Sequence, residues 1–263
     1  MGKLTGKVAF ITGASKGIGE GIARVYAKHG AKVLLAARSS KTEEIAESLR
    51  SKGYEAIAVQ MDVSNKNDIK KAVEICIKAF GKIDILVNNA GVCKLGNFLD
   101  MSDEDRDFHI DVNIKGVWNT TKVILPYLIK NNYGKIVITS SVTGDMVADP
   151  GETAYAMTKA ALVGFTKSLA VEVAQYKINV NAICPGYVLT PMAEGIAKQS
   201  DEQNPDKILK GIADAVPLKR LAEPEEIGEL AAFLGSDESS YITGTQIVID
   251  GGSTLPETVS VGV

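Results

Sequence analysis

The sequence predicts an α/β chain: a Rossmann-type, doubly wound, seven-stranded parallel sheet with helices on both faces. Three observations predict it. Short apolar runs alternate with longer amphipathic ones along the chain, the pattern of repeated βαβ units. The short runs are rich in Val, Ile and Leu without polar alternation, as strands covered on both faces require. A glycine-rich turn, Gly13-Ala14-Ser15-Lys16-Gly17-Ile18-Gly19, joins the first apolar run to the first helical one.

The elements follow in order. A strand is expected at Val8–Thr12 and a helix at Gly19–His29. The strand Lys32–Ala37 leads to a helix at Thr42–Lys52, and Ala56–Gln60 leads to Asn67–Phe80. Ile83–Asn88 precedes one long helix, Asp103–Lys130, and Lys135–Thr139 precedes Ala154–Gln175. Asn179–Ile183 and Gln246–Asp250 complete the sheet, with a helix at Pro224–Leu234 between them. Right-handed crossovers wind these units into one sheet. Residues 187–220 break the rhythm with Pro191, Pro205 and Pro217 and mixed polarity. A long irregular insertion after a strand's C-terminal end is expected there, either a substrate lid or a plain surface excursion. No shift in composition marks a boundary, so residues 1–263 read as a single domain.

Composition narrows the function. Hydrophobic residues make up 45% and charged residues 23%, enough for a large core in a soluble protein. The net charge of -3 comes without a basic block, which argues against nucleic acid as a partner. Cys76, Cys93 and Cys184 are scattered, and neither they nor His29 and His109 fall in a metal-ligand spacing. No apolar run approaches the roughly 18 residues of a membrane span. A cytoplasmic protein without a leader, a membrane contact or a metal is expected.

The chemistry begins at Tyr155 and Lys159. Positions i and i+4 share a helix face, so phenol and ammonium can meet one ligand. A nearby cation favours the phenolate and is expected to lower the tyrosine pKa from its usual value of about 10. A tuned tyrosine can give a proton to a carbonyl oxygen or take one from an alcohol. Alone, the pair reads better as a solvated helix face, and a ligand site elsewhere must decide.

The glycine turn supplies that site. Gly13, Gly17 and Gly19 permit tight turning and close backbone approach, while Ser15, Lys16 and Ile18 lie at the helix N-terminus, where free N–H groups suit a pyrophosphate. Dinucleotide folds often carry an acidic residue about 20 positions on, for the ribose of NAD. Here the second strand ends in Ala36-Ala37-Arg38-Ser39, with no carboxylate. Arg38 can pair with a 2′-phosphate, and Lys16 adds a second cation, so NADP(H) is the expected cofactor. Asp62 and Val63 follow the third strand, where Asp62 can accept from an adenine amino group. Asn89, Ala90 and Gly91 end the fourth, where small residues let the backbone run past a ribose. Each of these two segments reads equally as a strand-end turn.

With the glycine turn, Asn88-Asn89-Ala90-Gly91 and Tyr155-x-x-x-Lys159 in this order, the chain resembles the short-chain dehydrogenase/reductase family over nearly its whole length. The resemblance implies a set of roles. Ser141 orients the substrate, Tyr155 is the general acid/base, and Lys159 binds the nicotinamide ribose and tunes the tyrosine. Asn113 holds a water in a proton relay. The segment containing Pro185, Gly186, Val188 and Thr190 grips the carboxamide end of the nicotinamide. The implied activity is hydride transfer between NADP(H) and a small or medium carbonyl or alcohol substrate. A 3-oxoacyl-carrier-protein reductase is the alternative enzyme, with Lys198, Lys207 and Lys210 as a weak docking patch. A non-catalytic dinucleotide-binding regulator is the alternative of another class. The resemblance also implies a homotetramer built on the helices Asp103–Lys130 and Ala154–Gln175. Val92, Cys93, Lys94, Val142, Gly144, Met146, Pro150 and Tyr187 are expected pocket walls, and the tail Leu255–Val263 is expected to reach a neighbouring subunit.

Overall fold

A strand can be apolar throughout only when both faces of its sheet are covered, and the computed structural model, which describes residues 2–256, shows that arrangement. The strands are β1 (Val8–Thr12), β2 (Lys32–Ala37), β3 (Ala56–Gln60), β4 (Ile85–Asn88), β5 (Gly134–Thr139), β6 (Ile178–Pro185) and β7 (Gln246–Ile249). They form one seven-stranded sheet in the order β3-β2-β1-β4-β5-β6-β7, parallel throughout. Successive side chains of β1 point to opposite faces. Ala9 and Ile11 join one core with Ile22, Tyr26 and Ile227, while Val8 and Phe10 join the other with Ile69, Ile124 and Leu162.

The helices are α1 (Gly17–Lys28), α2 (Lys41–Arg50), α3 (Lys66–Phe80), α4 (Asp103–His109), α5 (Gly116–Asn131), α6 (Thr153–Val173), α7 (Pro191–Ser200), α8 (Pro205–Ala215) and α9 (Pro224–Gly235). β1 pairs with β2 on one side and β4 on the other, so the chain reverses its winding direction there. In such sheets the crevice beyond the strand C-termini at the reversal point is where ligands bind.

Two expectations need correction. The long helix expected at Asp103–Lys130 is interrupted by a π-helical turn at Ile110–Lys115, which separates α4 from α5. The insertion at 187–220 is not irregular, because it folds into α7 and α8, each begun by a proline. Proline at the first helical position loses no intrahelical hydrogen bond and arrives with helical φ, so Pro191 and Pro205 start helices where we expected them to break structure. Thr190 caps α7 by accepting from the Ala193 N–H at 3.3 Å. Among the described residues no helix is long and apolar enough to cross a membrane, and no His, Cys, Asp and Glu side chains cluster as metal ligands. The expectation for the tail falls mostly on residues 257–263, outside the described residues.

Candidate active site

A cleft of about 990 Å³ opens at the C-terminal ends of the strands. Its floor is set by how β1 and β4 end. The Thr12 hydroxyl oxygen accepts from the N–H groups of Asn89 and Ala90 at 2.9 and 3.0 Å, and donates to the Val87 carbonyl at 3.3 Å. The Asn89 side chain donates back to the carbonyls of Thr12 and Gly13 at 3.2 and 3.3 Å. The glycine turn and the Asn88-Asn89-Ala90-Gly91 turn are thus laced into one surface. Gly13 has φ of 66°, and a Cβ there would sit 2.7 Å from Ala90 Cα, so no other residue fits. Gly19 lies behind this surface, off the cleft wall. A methyl on it would collide with the Gly13 carbonyl oxygen, so its part is helix-to-strand packing.

Most of the expected ligand-binding residues line the cleft: Gly13, Ser15, Lys16, Gly17, Ile18, Arg38, Asp62, Val63, Asn89, Ala90, Gly91, Tyr155, Lys159, Pro185, Gly186, Val188 and Thr190. Lys16 and Arg38 are both exposed at its rim. The Arg38 guanidinium lies 6.0 Å from the centre of the Phe108 ring, and its carbonyl accepts from Gln60 at 2.8 Å. Asp62 is partly engaged, since one carboxylate oxygen accepts from the N–H and hydroxyl of Ser64 at 2.9 and 2.7 Å.

The residues expected to be catalytic lie at the other end. Ser141 is 9% exposed and its hydroxyl accepts from the Thr143 N–H at 3.1 Å. Lys159 is buried, donates to the Thr139 carbonyl at 2.8 Å, and holds its ammonium 5.5 Å from the centre of the Tyr155 ring. Burial lowers the Lys159 pKa to about 8, with Cys184 and Cys93 pulling the other way. Burial also raises Tyr155 well above the ordinary phenol range, reinforced by Cys93 and opposed by a side-chain interaction with Ser141. The shift runs against the expected lowering, because burial penalises the phenolate.

Asn113 sits in the π-helical turn and is fully buried. Its amide oxygen accepts from the Val92 N–H at 2.9 Å, and its amide nitrogen donates to the Val92 carbonyl at 3.0 Å and the Thr158 hydroxyl at 2.9 Å. The side chain is spent on joining the loop after β4 to α6 beside Tyr155, and it does not line the cleft. Of the expected walls, Val92, Val142 and Tyr187 line the cleft, whereas Cys93, Lys94, Gly144, Met146 and Pro150 do not. Lys94 is drawn away by Asp105, and burial pushes the Cys93 thiol up to about 12.

Sequence reading missed four groups. Thr139, at the end of β5, lines the cleft with a buried hydroxyl that has no partner. Asp149 and Glu152 line the substrate end ahead of Tyr155, and Ile208 and Ile212 of α8 cover it. The spacing of Ile208 and Ile212, i and i+4, was the available signal for an inward helix face. Gln199 at the end of α7 accepts from the Leu95 N–H at 3.1 Å and ties the cover to the loop after β4.

The donor set fits a nicotinamide dinucleotide. A glycine-lined helix start can take the pyrophosphate, two exposed cations flank the adenosine end, and Lys159 and Thr139 line the far end.

Comparison with known proteins agrees with this geometry. The family model described as enoyl-(acyl carrier protein) reductase matches residues 13–254. Oxidoreductase UcpA of Salmonella typhimurium is 66% identical over 263 residues, covering all of both chains. The 3-oxoacyl-[acyl-carrier-protein] reductase FabG of Thermotoga maritima is 39% identical over 254 residues, covering 96% of this chain and all of its own. The crystal structure of levodione reductase superposes with a TM-score of 0.90 at 33% identity, covering 95% of this chain and 98% of its own.

Proposed function

The chain belongs to the short-chain dehydrogenase/reductase family, and from that premise we propose that it is an NADP(H)-dependent enzyme acting on a small or medium carbonyl or alcohol. The observation that carries this reading is one continuous cleft holding the glycine turn and Arg38 at one end and Ser141, Tyr155 and Lys159 at the other. When bound, the reduced nicotinamide supplies the hydride. Tyr155 donates its phenolic proton to the oxygen on which charge develops. Ser141 gives a second hydrogen bond to that oxygen, so both groups act where the transition state differs most from the ground state. Lys159 holds the ribose hydroxyls and keeps the local field positive. Asn113 positions α6 against the loop after β4 through Thr158 and Val92. Lys16 and Arg38 take the 2′-phosphate, since β2 ends without a carboxylate.

A homotetramer of cytoplasmic subunits belongs to the same reading. Trp118 on α5 and Met157 and Val171 on α6 are exposed, and Trp118 packs on Phe165 at 5.8 Å, which supplies an apolar face for the helix interface. The carrier-protein reductase alternative draws on the name of the Thermotoga relative. Its docking patch is weaker than the sequence suggests, because Lys210 is paired with Asp214 and Lys207 lines the cleft.

The deciding experiment is Tyr155→Phe assayed by NADPH absorbance with a panel of carbonyls and alcohols. Cofactor affinity stays within about twofold and turnover falls at least about a hundredfold. Turnover near the parent level in that variant would overturn the assignment.

A further inference from the structure

The substrate end of the cleft holds a carboxylate that hydride chemistry does not use. Glu152 lines the cleft, is 7% exposed, and stands at the N-cap of α6, three residues before Tyr155. Residues at i and i+3 share a helix face, so carboxyl and phenol open onto the same space. The backbone around it is pinned: the Glu152 carbonyl accepts from the Ala156 N–H at 2.8 Å, and the Gly151 carbonyl accepts from the Gly96 N–H at 2.9 Å.

The one side-chain partner of Glu152 is the neutral Thr143, whose hydrogen bond opposes the effect of burial on the carboxyl. The Glu152 side chain does not cap α6. None of the ion pairs among the described residues involves it. Asp149, the other acid lining this end of the cleft, is exposed and accepts from the Tyr187 hydroxyl at 3.1 Å, so the buried carboxyl near Tyr155 is Glu152. Its charge raises the pKa values of Tyr155, Cys93 and Tyr187 together, which places it among those three side chains. A carboxyl shielded from water with only a neutral hydroxyl beside it is costly to bury, and a cleft-facing one is available to a ligand that supplies a further donor.

We propose that Glu152 determines specificity by accepting a hydrogen bond from a hydroxyl on the carbon next to the reacting one, so that the substrates are α-hydroxy carbonyls and the vicinal diols they interconvert with. Side chains one helical turn apart start about 5–6 Å from each other and can converge on oxygens of neighbouring carbons, one held by Tyr155 and the other by Glu152. A carboxylate substrate is repelled by Glu152 and Asp149. An ammonium substrate would put a second buried cation beside Lys159, whereas a hydroxyl adds no charge to the site.

This inference rests on the oxidoreductase reading, and its test separates the two. With NADPH, kcat/KM is measured for hydroxyacetone and acetone in the parent protein, Glu152→Gln and Glu152→Leu. The preference for hydroxyacetone over acetone falls at least about tenfold in Glu152→Leu and is partly kept in Glu152→Gln. An equal preference in the parent and Glu152→Leu overturns the proposal. Binding is measured separately, without turnover, in Tyr155→Phe protein loaded with NADP+. Calorimetry there gives tighter binding of propane-1,2-diol than of propan-2-ol, an advantage that the additional Glu152→Leu change removes. No diol advantage in that protein overturns the role of Glu152. Absence of carbonyl reduction in the parent protein, with the diol advantage intact, overturns the hydride reading instead.

Discussion

Replacing Lys159 with methionine separates the demands of stability from those of chemistry. The ammonium is buried, and its pKa falls from an ordinary 10.5 to about 8. Each unit corresponds to about 1.4 kcal/mol, so keeping the charge in the folded state costs about 3 kcal/mol at pH 7. The folded state releases its proton at lower pH than the unfolded chain does. The unfolded state therefore binds more protons between about pH 8 and 10.5, and stability of the parent protein rises across that window. Lys159→Met carries no such group, so its stability lacks this rise. Against the gain at pH 7 stands the Thr139 carbonyl, which loses its 2.8 Å donor at a cost of about 1–3 kcal/mol. At pH 7 the variant is thus about as stable as the parent or up to about 2 kcal/mol more so, while turnover and cofactor affinity fall. The assay is urea unfolding of both proteins at pH 7, 8, 9 and 10. The difference between them moves toward the parent by about 2–3 kcal/mol over that range. A difference that stays flat with pH refutes the claim that the buried ammonium is a stored cost.

Arg38→Asp weakens NADPH binding about 10- to 100-fold and improves NADH binding, read from the two KM values, because a charge-assisted contact worth about 1.5–3 kcal/mol becomes a repulsion. Thr12→Val leaves the Asn89 and Ala90 N–H groups without their shared acceptor and lowers unfolding free energy by about 2–3 kcal/mol, read from urea melts, with dinucleotide affinity falling alongside.

The parallel, doubly wound sheet and the approximate place of its strands were legible because they depend on local rules, whereas the strand order came only with the structure. Apolar runs without alternation gave β1 to β3 to the residue. Legibility ended where an outcome depended on contacts between distant segments. Pro191 and Pro205 read as breakers, since a proline starting a helix and a proline ending one look alike until the chain around them folds. Within the π-helical turn at Ile110–Lys115, Asn113 reaches Val92 and Thr158, two partners that no helical periodicity reveals. Thr12 was visible only as a strand end, yet it joins the two halves of the cleft floor. Glu152 looked like any charge ahead of a helix, and only its burial beside Tyr155 sets it apart.

The Tyr155–Lys159 pair shows why spacing alone misjudged the chemistry. Proximity of an ammonium argues for an ionised phenol, but both groups are taken from water together, and burial penalises the charged form of each. The result is a phenol that keeps its proton and a lysine poised to lose one, the reverse of the balance that spacing implies. A protonated phenol is a hydrogen-bond and proton donor toward an oxygen placed beside it. The opposite direction needs the phenolate, and the nearest sources of help are the Lys159 charge and the hydroxyl of Ser141. Since the Lys159 charge is lost as pH rises through about 8, that help is withdrawn in the same range where an exposed phenol would begin to ionise.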